Sequence, residues 1–375
     1  MKKVPSPNPI FKNFPANGLT EFVQTVCFQF EEITMITTFG EIMLRLSPVG
    51  AYRIAQADSF DAVYGGAEEN VAIALASFGE HTSYVTKLPQ NAVGDACLNS
   101  IRRWGVDTSH ILRGGDRLGL YYLEKGASLR ASAVTYDRKG SAFAMSGIDD
   151  YDWNVILTQD DSETHKNAFF YTGITPAVGE NLPGILRDAL EVCRSRKIRT
   201  YCDLNYRAAL WTTEKAGSVL RDLLPYTDVC VANEEHAELL FGITSAFTER
   251  TDRLRDIAQQ LCTMFGHSRV VMTMRRSLSA DDNEVSAATL NAKTGEFTVS
   301  RSYPVHIIDR VGGGDALSAG IIYGELHGFD EVHLIEFASA ANAYKHSIHG
   351  DALIASAAEI DAIAQSASGE IRMKR

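Results

Sequence analysis

The sequence predicts an α/β fold in which a parallel-centred sheet carries helices on both faces and a smaller β-structure is attached to it. Three observations support this prediction. Apolar strand patterns alternate with helix-length segments from residue 36 onward, two β-rich sections interrupt the alternation, and a hairpin pattern follows later in the chain. The alternation is typical of parallel sheets, because a crossover between parallel strands needs a long connection, which is usually a helix.

Six short apolar runs predict the main sheet. They are residues 36–39, 82–86, 168–172, 198–203, 229–232 and 270–274. Helix-length segments lie between them, and several end at a glycine, such as 93–104. Residues 43–64 and 119–147 are rich in alternating and aromatic side chains, which predict two β-rich excursions. A β-hairpin is predicted near 286–302, with its turn at 293–295.

Size and charge limit the class of protein. The chain has 375 residues, of which 45% are hydrophobic, and this suffices for the core of one large domain. The 36 basic and 47 acidic side chains give a net charge of −11, which argues against nucleic acid as the main partner. No apolar run reaches the roughly 18 residues of a membrane span. The six cysteines form no C-x-x-C pair and are predicted to be reduced, mostly buried thiols of a cytoplasmic protein.

Residues 1–34 differ in composition from the rest of the chain, since four of the ten prolines lie at positions 5, 7, 9 and 15. They contain no clean apolar segment of the kind that a signal peptide has. We therefore expect 1–34 to be a disordered extension, or the product of an upstream start codon, and 35–375 to form the functional domain. An N-terminal arm that docks on a partner is the alternative.

The most informative motif is 309–316, Asp-Arg-Val-Gly-Gly-Gly-Asp-Ala, which follows an apolar run and precedes a helix pattern. Gly312, Gly313 and Gly314 allow backbone N–H groups to approach an anion closely, and the start of a helix adds a partial positive charge. Asp315 beside such a site would accept a proton from an attacking hydroxyl, so the motif favours phosphoryl transfer to an alcohol. A plain turn is the alternative. The Walker A and dinucleotide motifs are excluded, because the chain has no Gly-Lys pair and no small residue at position 317.

A second glycine motif lies at 64–79, where a Gly-Gly turn enters a predicted helix. The two motifs together resemble the signatures of the ribokinase-like (PfkB) carbohydrate kinases, which are roughly Gly-Gly-x-x-x-Asn-x-Ala and Asp-x-x-Gly-Ala-Gly-Asp. The middle alanine of the second signature is Gly313 here. The resemblance implies a ribokinase-like fold, with 35–375 as the kinase domain and the two excursions as a small β-sheet lid over the sugar. It also implies that Gly66 and Asn70 bind the sugar.

Further segments resemble the subgroup of this family that phosphorylates 2-keto-3-deoxygluconate. They are 119–130, 134–142, 202–207, 273–279 and 345–351, so that the resemblance covers nearly all of 35–355. In that subgroup a lid tyrosine, a Tyr-x-Arg pair 14 and 16 residues later, and the arginine of Asp-x-Asn-x-Arg hold the sugar acid. By this spacing the resemblance assigns the sugar to Tyr122, Tyr136, Arg138 and Arg207. The chemistry agrees, because arginine binds carboxylates in two-point fashion and tyrosine offers a hydroxyl and a flat face. The alternatives are lid packing for the tyrosines, a solvated charge for Arg138, and a salt bridge between Arg207 and Asp203.

The resemblance also implies a nucleotide side. It assigns ATP to Asn233, Arg275, Ser277 and Asn342. Asn233 opens Asn-Glu-Glu-His, where the family has Asn-x-x-Glu or Asn-x-x-Asp, a motif that organises magnesium and phosphate. His236 at the last position is a poor magnesium ligand, so that role passes to Glu235 or the metal site is looser. The alternatives are a charged loop at a strand end for 275–277 and a helix-surface side chain for Asn342.

The resemblance thus implies ATP-dependent phosphorylation of the terminal hydroxyl of 2-keto-3-deoxygluconate, which gives 2-keto-3-deoxy-6-phosphogluconate. Asp315 would be the general base, the amides of 312–314 would form the anion hole, and Mg²⁺ would bridge the β- and γ-phosphates. Rival functions are a kinase for fructose, ribose or 2-keto-3-deoxygalactonate, and a catalytically inactive sugar-binding regulator. Two arginines favour an acid over a neutral sugar. Lids of this family often pair between subunits, which makes a homo-oligomer through the lid a further expectation.

Overall fold

The structure is a computed structural model that describes residues 34–157 and 167–366. The strands in these residues are β1 (Met35–Phe39), β2 (Met43–Pro48), β3 (Phe60–Gly65), β4 (His81–Val85), β5 (Lys87–Leu88), β6 (Leu112–Arg113), β7 (Gly119–Glu124), β8 (Ala133–Asp137), β9 (Ala168–Thr172), β10 (Arg199–Asp203), β11 (Val229–Ala232), β12 (Arg269–Ser277), β13 (Asp282–Asn291), β14 (Phe297–Val299) and β15 (Tyr303–His306). The α-helices there are α1 (Ala67–Phe78), α2 (Ala92–Arg102), α3 (Trp153–Ile156), α4 (Thr175–Val178), α5 (Leu182–Ser195), α6 (Thr213–Leu223), α7 (Glu234–Phe241), α8 (Arg250–Phe265), α9 (Gly313–Leu326), α10 (Glu331–Lys345) and α11 (Ala357–Ala364). The extension predicted over 1–34 lies outside the described residues, apart from Thr34.

The central sheet confirms the predicted parallel arrangement. Its order is β14-β13-β12-β11-β10-β9-β1-β4, and β15 also pairs with β13. The six strands from β12 to β4 pair in parallel, and they are the six strands that the apolar runs predict. The remaining strands extend the sheet in antiparallel fashion, and β13 and β14 form the predicted hairpin.

Helices cover both faces of the central sheet. Because neighbouring residues of a strand point to opposite faces, they pack into different cores. Phe169 of β9 packs into a core that α5, α6, α7 and α8 complete, whereas Phe170 packs into a second core with α1, α9, α10 and α11. Helices α1 and α9 lie on the same face and carry the two glycine motifs at their amino ends. The second core thus holds both motifs against one sheet.

Four other strands form a small separate sheet in the order β3-β2-β7-β8, which we call the lid. The excursion over 43–64 supplies β2 and β3, and the excursion over 119–147 supplies β7 and β8. Arg45, Tyr121 and Tyr136 are aligned across β2, β7 and β8 and therefore share one face. Arg45 and Tyr121 are buried, so this face is the inner one.

Two further predictions concern cysteines and membranes. Cys97, Cys193, Cys202, Cys230 and Cys262 are buried and free, as expected for structural thiols. None of the helices within 34–157 and 167–366 has both the length and the hydropathy that crossing a bilayer requires.

Candidate active site

The two glycine motifs meet at the carboxyl ends of the parallel strands, through a hydrogen bond between Asn70 and Asp315. Asn70 lies in the first turn of α1 and Asp315 in the first turn of α9, and both are buried. The amide Nδ2 of Asn70 donates to Oδ2 of Asp315 over 2.7 Å. The Oδ1 atom of Asn70 is buried and has no hydrogen-bond partner within the described residues. An unpaired buried acceptor is unfavourable, so this atom is ready to receive a ligand hydroxyl.

Two more carboxyl groups surround Asp315, the buried one of Glu68 and the partly buried one of Asp203. Asp203 ends β10, and Glu68 lies two residues before Asn70, where it accepts hydrogen bonds from the hydroxyls of Thr172 (2.6 Å) and Thr175 (2.7 Å). The strand β10 runs parallel beside β9, which brings its last residue to the same edge as Thr172. These acids therefore form one cluster at the amino ends of α1 and α9.

Burial of this cluster raises the pKa values of its acids. Desolvation disfavours the charged form and raises the pKa of Asp315 to about 7, with smaller contributions from Asp203 and Glu68 and an opposing hydrogen bond from Asn70. Burial likewise raises the pKa of Asp203 to about 6 and also raises that of Glu68. A carboxyl group with a pKa near 7 is well matched to proton transfer at neutral pH.

The predicted anion loop has the geometry of a helix amino terminus. Gly312 is the N-cap of α9 and adopts a φ of +86°, which favours glycine. A Cβ atom there would also overlap the carbonyl oxygen of Asp351. At Gly314 an added Cβ would meet no atom nearer than Oδ2 of Asp203 at 3.8 Å, so the front of the loop is open. An anion can therefore approach the first N–H groups of α9.

The back of the loop explains the glycine at position 313. A Cβ atom there would lie 2.6 Å from Cε1 of His346 and 3.2 Å from Oδ1 of Asn342. His346 is buried, and its Nδ1 lies 2.8 Å from the carbonyl oxygen of Asn342. The imidazole thus fills the space that an alanine methyl would need. Oδ1 of Asn342 is buried without a hydrogen-bond partner in the described part of the chain.

The small sheet presents Tyr121, and not the predicted Tyr122, on its inner face. Tyr121 pairs directly with Tyr136, and their ring centroids are 6.0 Å apart. Tyr122 points to the opposite face, where its ring centroid lies 6.1 Å from that of Phe60. The loop between β7 and β8 places Tyr136 opposite the residue 15 positions earlier, so the assumed spacing of 14 selects the wrong face of the strand. The structure therefore does not bring Tyr122 together with Tyr136 and Arg138.

Arg138 is buried and is not the solvated charge of the alternative interpretation. Its Nε donates to Oε2 of Glu41 over 2.7 Å, and its Nη2 is also paired with this carboxylate. The hydroxyl of Ser141 donates to the other oxygen of Glu41. The guanidinium of Arg138 also lies over the ring of Tyr136, at 5.6 Å from the ring centroid. Gly66 adjoins this group, because a Cβ there would overlap the carbonyl oxygen of Glu41.

Arg207 is exposed on the loop that follows β10. Its positive charge lowers the pKa values of Asp203, Asp315 and His236, which places the guanidinium near the acid cluster. Within 34–157 and 167–366 no salt bridge joins Arg207 to Asp203; Oδ1 of Asp203 accepts instead from the backbone N–H of Asn205. Arg207 is thus a cation that faces the open side of the site.

The nucleotide-side residues lie on three different elements: the end of β12, the N-cap of α7 and the last turns of α10. Arg275 and Ser277 are exposed at the end of β12. Ser277 lines a cavity of about 570 Å³, which the loop 277–281, the segment 307–311 and the tip of the β7–β8 hairpin enclose. Asn342 lies behind the anion loop. The positive charges of Arg310 and Arg275 help to lower the pKa of its neighbour His346, whose largest pKa shift comes from burial. This concentration of positive charge suits a polyphosphate.

The motif at 233–236 does not build a magnesium site. Asn233 caps α7 by accepting from the N–H of His236 over 2.7 Å, and Glu234 pairs with Arg253 over 2.7 Å. Burial lowers the pKa of His236 to about 4, so its imidazole is neutral. Glu235 is exposed, and no cluster of three metal-ligating side chains exists in the described residues. The donor set therefore does not fit a protein-held Mg²⁺, and a metal would have to rely on the nucleotide's own phosphates.

Several residues of the site have no clear signal in the sequence. Glu68 and Glu41 resemble ordinary acids near a helix start and a strand end, and only the structure shows that both are buried. Asp203 stands in the Asp-x-Asn-x-Arg motif, and its predicted role was limited to an ion pair. Tyr121 is adjacent to the predicted Tyr122, and only the strand pairing in the structure shows that it faces Tyr136.

Known proteins share this fold. A model of the pfkB family carbohydrate kinases matches residues 33–357. The crystal structure of a 2-dehydro-3-deoxygluconokinase from Thermotoga maritima is similar, with 44% identity and a TM-score of 0.84, over 89% of this chain and 99% of that one. A 2-dehydro-3-deoxygalactonokinase of Haloferax volcanii is 27% identical over 88% of this chain and 96% of its own length. A 2-dehydro-3-deoxygluconokinase of Thermoproteus tenax is 26% identical over 86% and 91%.

Proposed function

The chain belongs to the pfkB family of carbohydrate kinases, and we propose that it phosphorylates a sugar acid at the expense of ATP. The proposed substrate is 2-keto-3-deoxygluconate, also called 2-dehydro-3-deoxygluconate, and the proposed product is its 6-phosphate. The observation that carries the proposal is the buried Asp315, which Asn70 holds at the start of α9 beside the open anion loop. The Thermotoga maritima kinase, at 44% identity, supports this substrate class.

Asp315 is proposed to take the proton of the terminal hydroxyl. Asn70 orients one carboxylate oxygen, and the other would accept the hydroxyl hydrogen as the oxygen attacks phosphorus. A pKa of about 7 leaves about half of these groups ionised at neutral pH, and the charge of Arg207 favours the ionised form. The backbone N–H groups of Gly312, Gly313 and Gly314 would stabilise the charge on the phosphoryl group in flight.

An exposed cation beside the acid cluster supports an acidic substrate. Arg207 is exposed and carries no salt bridge within the described residues, so it is the proposed carboxylate ligand. Arg138 is neutralised by Glu41 and is proposed to position Tyr136 and Gly66 and to offer its remaining N–H groups to the sugar. Tyr121 and Tyr136 cover this space from the inner face of the lid. A neutral sugar would leave the charge of Arg207 uncompensated.

ATP is proposed to lie along Arg275, Ser277 and Asn342, with its phosphates directed at the amino end of α9. The open front at Gly314 and the unpaired Oδ1 of Asn342 support this placement. Asn233 is proposed to act here through its helix cap, which fixes the loop after β11. Mg²⁺, when it accompanies ATP, would supply charge neutralisation to the phosphates, and the phosphates would hold it, because Glu235 and its neighbours do not fit the ion.

One rival substrate has direct support. The Haloferax volcanii relative is named a 2-dehydro-3-deoxygalactonokinase, and the galacto and gluco acids differ only in the orientation of a hydroxyl. Fructose and ribose lack the carboxylate that Arg207 would bind. The inactive-regulator alternative is disfavoured by Asp315, because a binding protein has no need for a buried base with a raised pKa.

A substrate panel tests the proposal. Turnover over Michaelis constant is measured with ATP for 2-keto-3-deoxygluconate, 2-keto-3-deoxygalactonate, fructose and ribose, in wild type, Arg207→Ala and Arg187→Ala. Arg187 is a partly exposed arginine on α5, away from the acid cluster, that pairs with Glu191. We expect wild type to prefer the acids and Arg207→Ala to lose about 10- to 150-fold on them alone, since a charged hydrogen bond contributes roughly 1.5–3 kcal/mol. Preference for fructose or ribose in wild type would refute the sugar-acid assignment.

A further inference from the structure

A buried group of five polar side chains joins the small sheet to the central domain. We call it the Arg45 cluster, and its members are Arg45 of β2, Tyr121 of β7, Asp309, Lys345 and Asp351. All five are at most 5% exposed. The first two belong to the lid, Lys345 is the last residue of α10, and Asp309 and Asp351 lie in the segments before α9 and after α10. Tyr121 also covers the proposed sugar site and Asp309 opens the glycine motif at 309–316, but the kinase chemistry described above gives no role to Arg45, Lys345 or Asp351.

Arg45 bridges the two carboxylates. Its Nη2 and Nη1 donate to Oδ2 and Oδ1 of Asp309 over 2.7 and 3.2 Å, and Nη1 also lies 2.6 Å from Oδ1 of Asp351. The hydroxyl of Tyr121 donates to the other oxygen of Asp351. Lys345 donates from Nζ to the carbonyl oxygen of Ile348 over 3.2 Å and lies in the field of both carboxylates. Two cations thus balance two anions out of contact with water.

The charges of the cluster depend on one another. Burial alone would raise the pKa of Asp309, but the hydrogen bonds and the charge of Arg45 hold it below its ordinary value. Burial raises the pKa of Asp351, against the opposing effect of Arg45. Burial also lowers the pKa of Lys345, while Asp309 and Asp351 oppose this. Breaking such a buried pair on one side only is strongly unfavourable, so the cluster holds its members at fixed positions.

Asp351 is the point where both glycine motifs touch the cluster. A Cβ atom at Gly312 would overlap the carbonyl oxygen of Asp351, so this residue packs directly on the anion loop. A Cβ atom at Gly65 would overlap the Asp351 carboxylate, so the same residue also packs on the turn that leads into α1 and Asn70. Asp309 reinforces the contact, since it lies three residues before Gly312 and accepts from the N–H of Gly350 over 3.1 Å.

We propose that Arg45 and Asp351 are positioning residues that align the sugar motif with the anion loop and connect this alignment to the lid. Movement of β2 would displace Arg45. Because Arg45 is paired with Asp309 and Asp351, these two residues would move with it, and so would the anion loop that they adjoin. A lid in the position shown therefore sets the distance between the substrate hydroxyl and the transferring phosphoryl group. Alignment of this kind has large consequences, because a displacement of about 1 Å can reduce a rate about 100-fold.

A second, partly buried ion cluster provides a control. Arg199 and Arg269 pair with Glu325 over 2.7 Å each, and Arg269 also binds Glu331 over 2.8 Å. This group again has two cations and two anions, but Arg199 and Arg269 begin strands β10 and β12, so it lies at the amino ends of the strands. That edge is opposite to the glycine motifs. Its loss should affect stability without affecting alignment.

Two variants separate alignment from stability. Arg45→Met with Asp351→Asn removes one cation and one anion, so the cluster stays balanced while the link is lost. Arg45→Lys keeps the charge, but a single ammonium cannot reproduce the planar fork that binds two carboxylates. The control is Arg269→Met with Glu331→Gln. Four quantities are measured for each protein: the melting temperature, the dissociation constant for ATP by calorimetry, the sugar turnover, and the ratio of ADP released to sugar phosphate formed.

We expect both Arg45 variants to bind ATP within about twofold of wild type but to phosphorylate the sugar roughly 10- to 100-fold more slowly, with an ADP-to-product ratio above one because misaligned phosphoryl groups go to water. The control should lose stability and keep its turnover and its ratio. If the Arg45 variants lose only melting temperature, as the control does, the cluster is merely structural and the proposal is wrong. If the charge-balanced variant does not fold, Arg45→Lys decides by the same criterion.

The inference rests on the kinase activity of the proposed function but not on the identity of the sugar. The wild-type substrate panel is completed first, and the variants are compared with whichever sugar wild type phosphorylates best. A panel that favours another sugar would therefore refute the sugar-acid proposal and leave the alignment test intact.

Discussion

Replacing Asp315 by asparagine is the sharpest test of the proposed chemistry. The change is nearly isosteric, and the amide oxygen of the new side chain can still accept the 2.7 Å hydrogen bond from Asn70. The amide cannot take a proton from the sugar hydroxyl. Proton transfer by a positioned base typically contributes about 10²- to 10⁴-fold, so we expect turnover to fall by this factor while the Michaelis constants for sugar and ATP change little.

The pH dependence adds a second, independent readout. Because Asp315 must be ionised and has a pKa of about 7, turnover over Michaelis constant in wild type should rise with pH and level off above about 7. Asp203, with a pKa of about 6, titrates in the same range, so the rise belongs to the pair. The Asp315→Asn variant should keep a small residual rate that does not rise with pH in this range.

As the pH rises, the stability of the wild type should fall while its turnover rises. Folding raises the pKa of Asp315 from 3.8 to about 7, so its protonated form contributes stability below pH 4 that is lost as the pH rises towards 7. Above pH 7 the buried carboxylate is charged, and asparagine avoids this charge. The melting temperature of Asp315→Asn should therefore exceed that of wild type at alkaline pH and approach it at acidic pH. A variant that keeps more than about half of wild-type turnover would show that Asp315 is not the base.

Three further predictions follow from the structure. A chain without residues 1–34 should keep its melting temperature and turnover, which differential scanning calorimetry and a kinase assay would check; loss of folding or of most turnover would refute this. Gly313→Ala should lower turnover because the new methyl group meets His346 at 2.6 Å, and adding His346→Ala should restore it; a double variant no better than the single one would contradict the steric account. Arg138→Ala should destabilise the protein by about 3–5 kcal/mol in urea unfolding, because it leaves Glu41 buried and unpaired, and a charge-balanced double replacement should lose less.

Local signals explain what the sequence predicted. The six parallel strands follow from runs of apolar residues, and the hairpin of β13 and β14 follows from its turn residues at 293–295. The sites of Asn70 and Asp315 follow from two glycine motifs that each open a helix, since such a motif carries its backbone geometry with it. The structure brings these two residues into contact.

Spacing alone failed where strand register decides the outcome. Tyr122 was chosen because it precedes Tyr136 by 14 residues, but Tyr121 is the residue that pairs with Tyr136. The loop between the strands is one residue longer than the spacing assumes, and a shift of one residue exchanges the two faces of a strand. Loop length is not encoded in any local pattern.

Long-range pairing was equally hidden. The partner of Arg138 is Glu41, which lies 97 residues away, and Arg45 binds Asp309 across 264 residues. A charged residue in a sequence is most often exposed, so burial of these side chains becomes visible only when the lid is packed against the central domain. The same holds for Gly313, whose reason for being a glycine is the ring of His346.

The identity of the phosphorylated product tests the central claim most directly. The protein is incubated with ATP and 2-keto-3-deoxygluconate, and phosphorus NMR is recorded with and without proton decoupling. The account predicts one new phosphomonoester per ADP, whose signal is split by the two protons of a terminal CH₂ group, in wild type, and almost none in Asp315→Asn. A phosphoester that forms only with fructose or ribose, or a signal coupled to a single proton of a secondary alcohol, would contradict it.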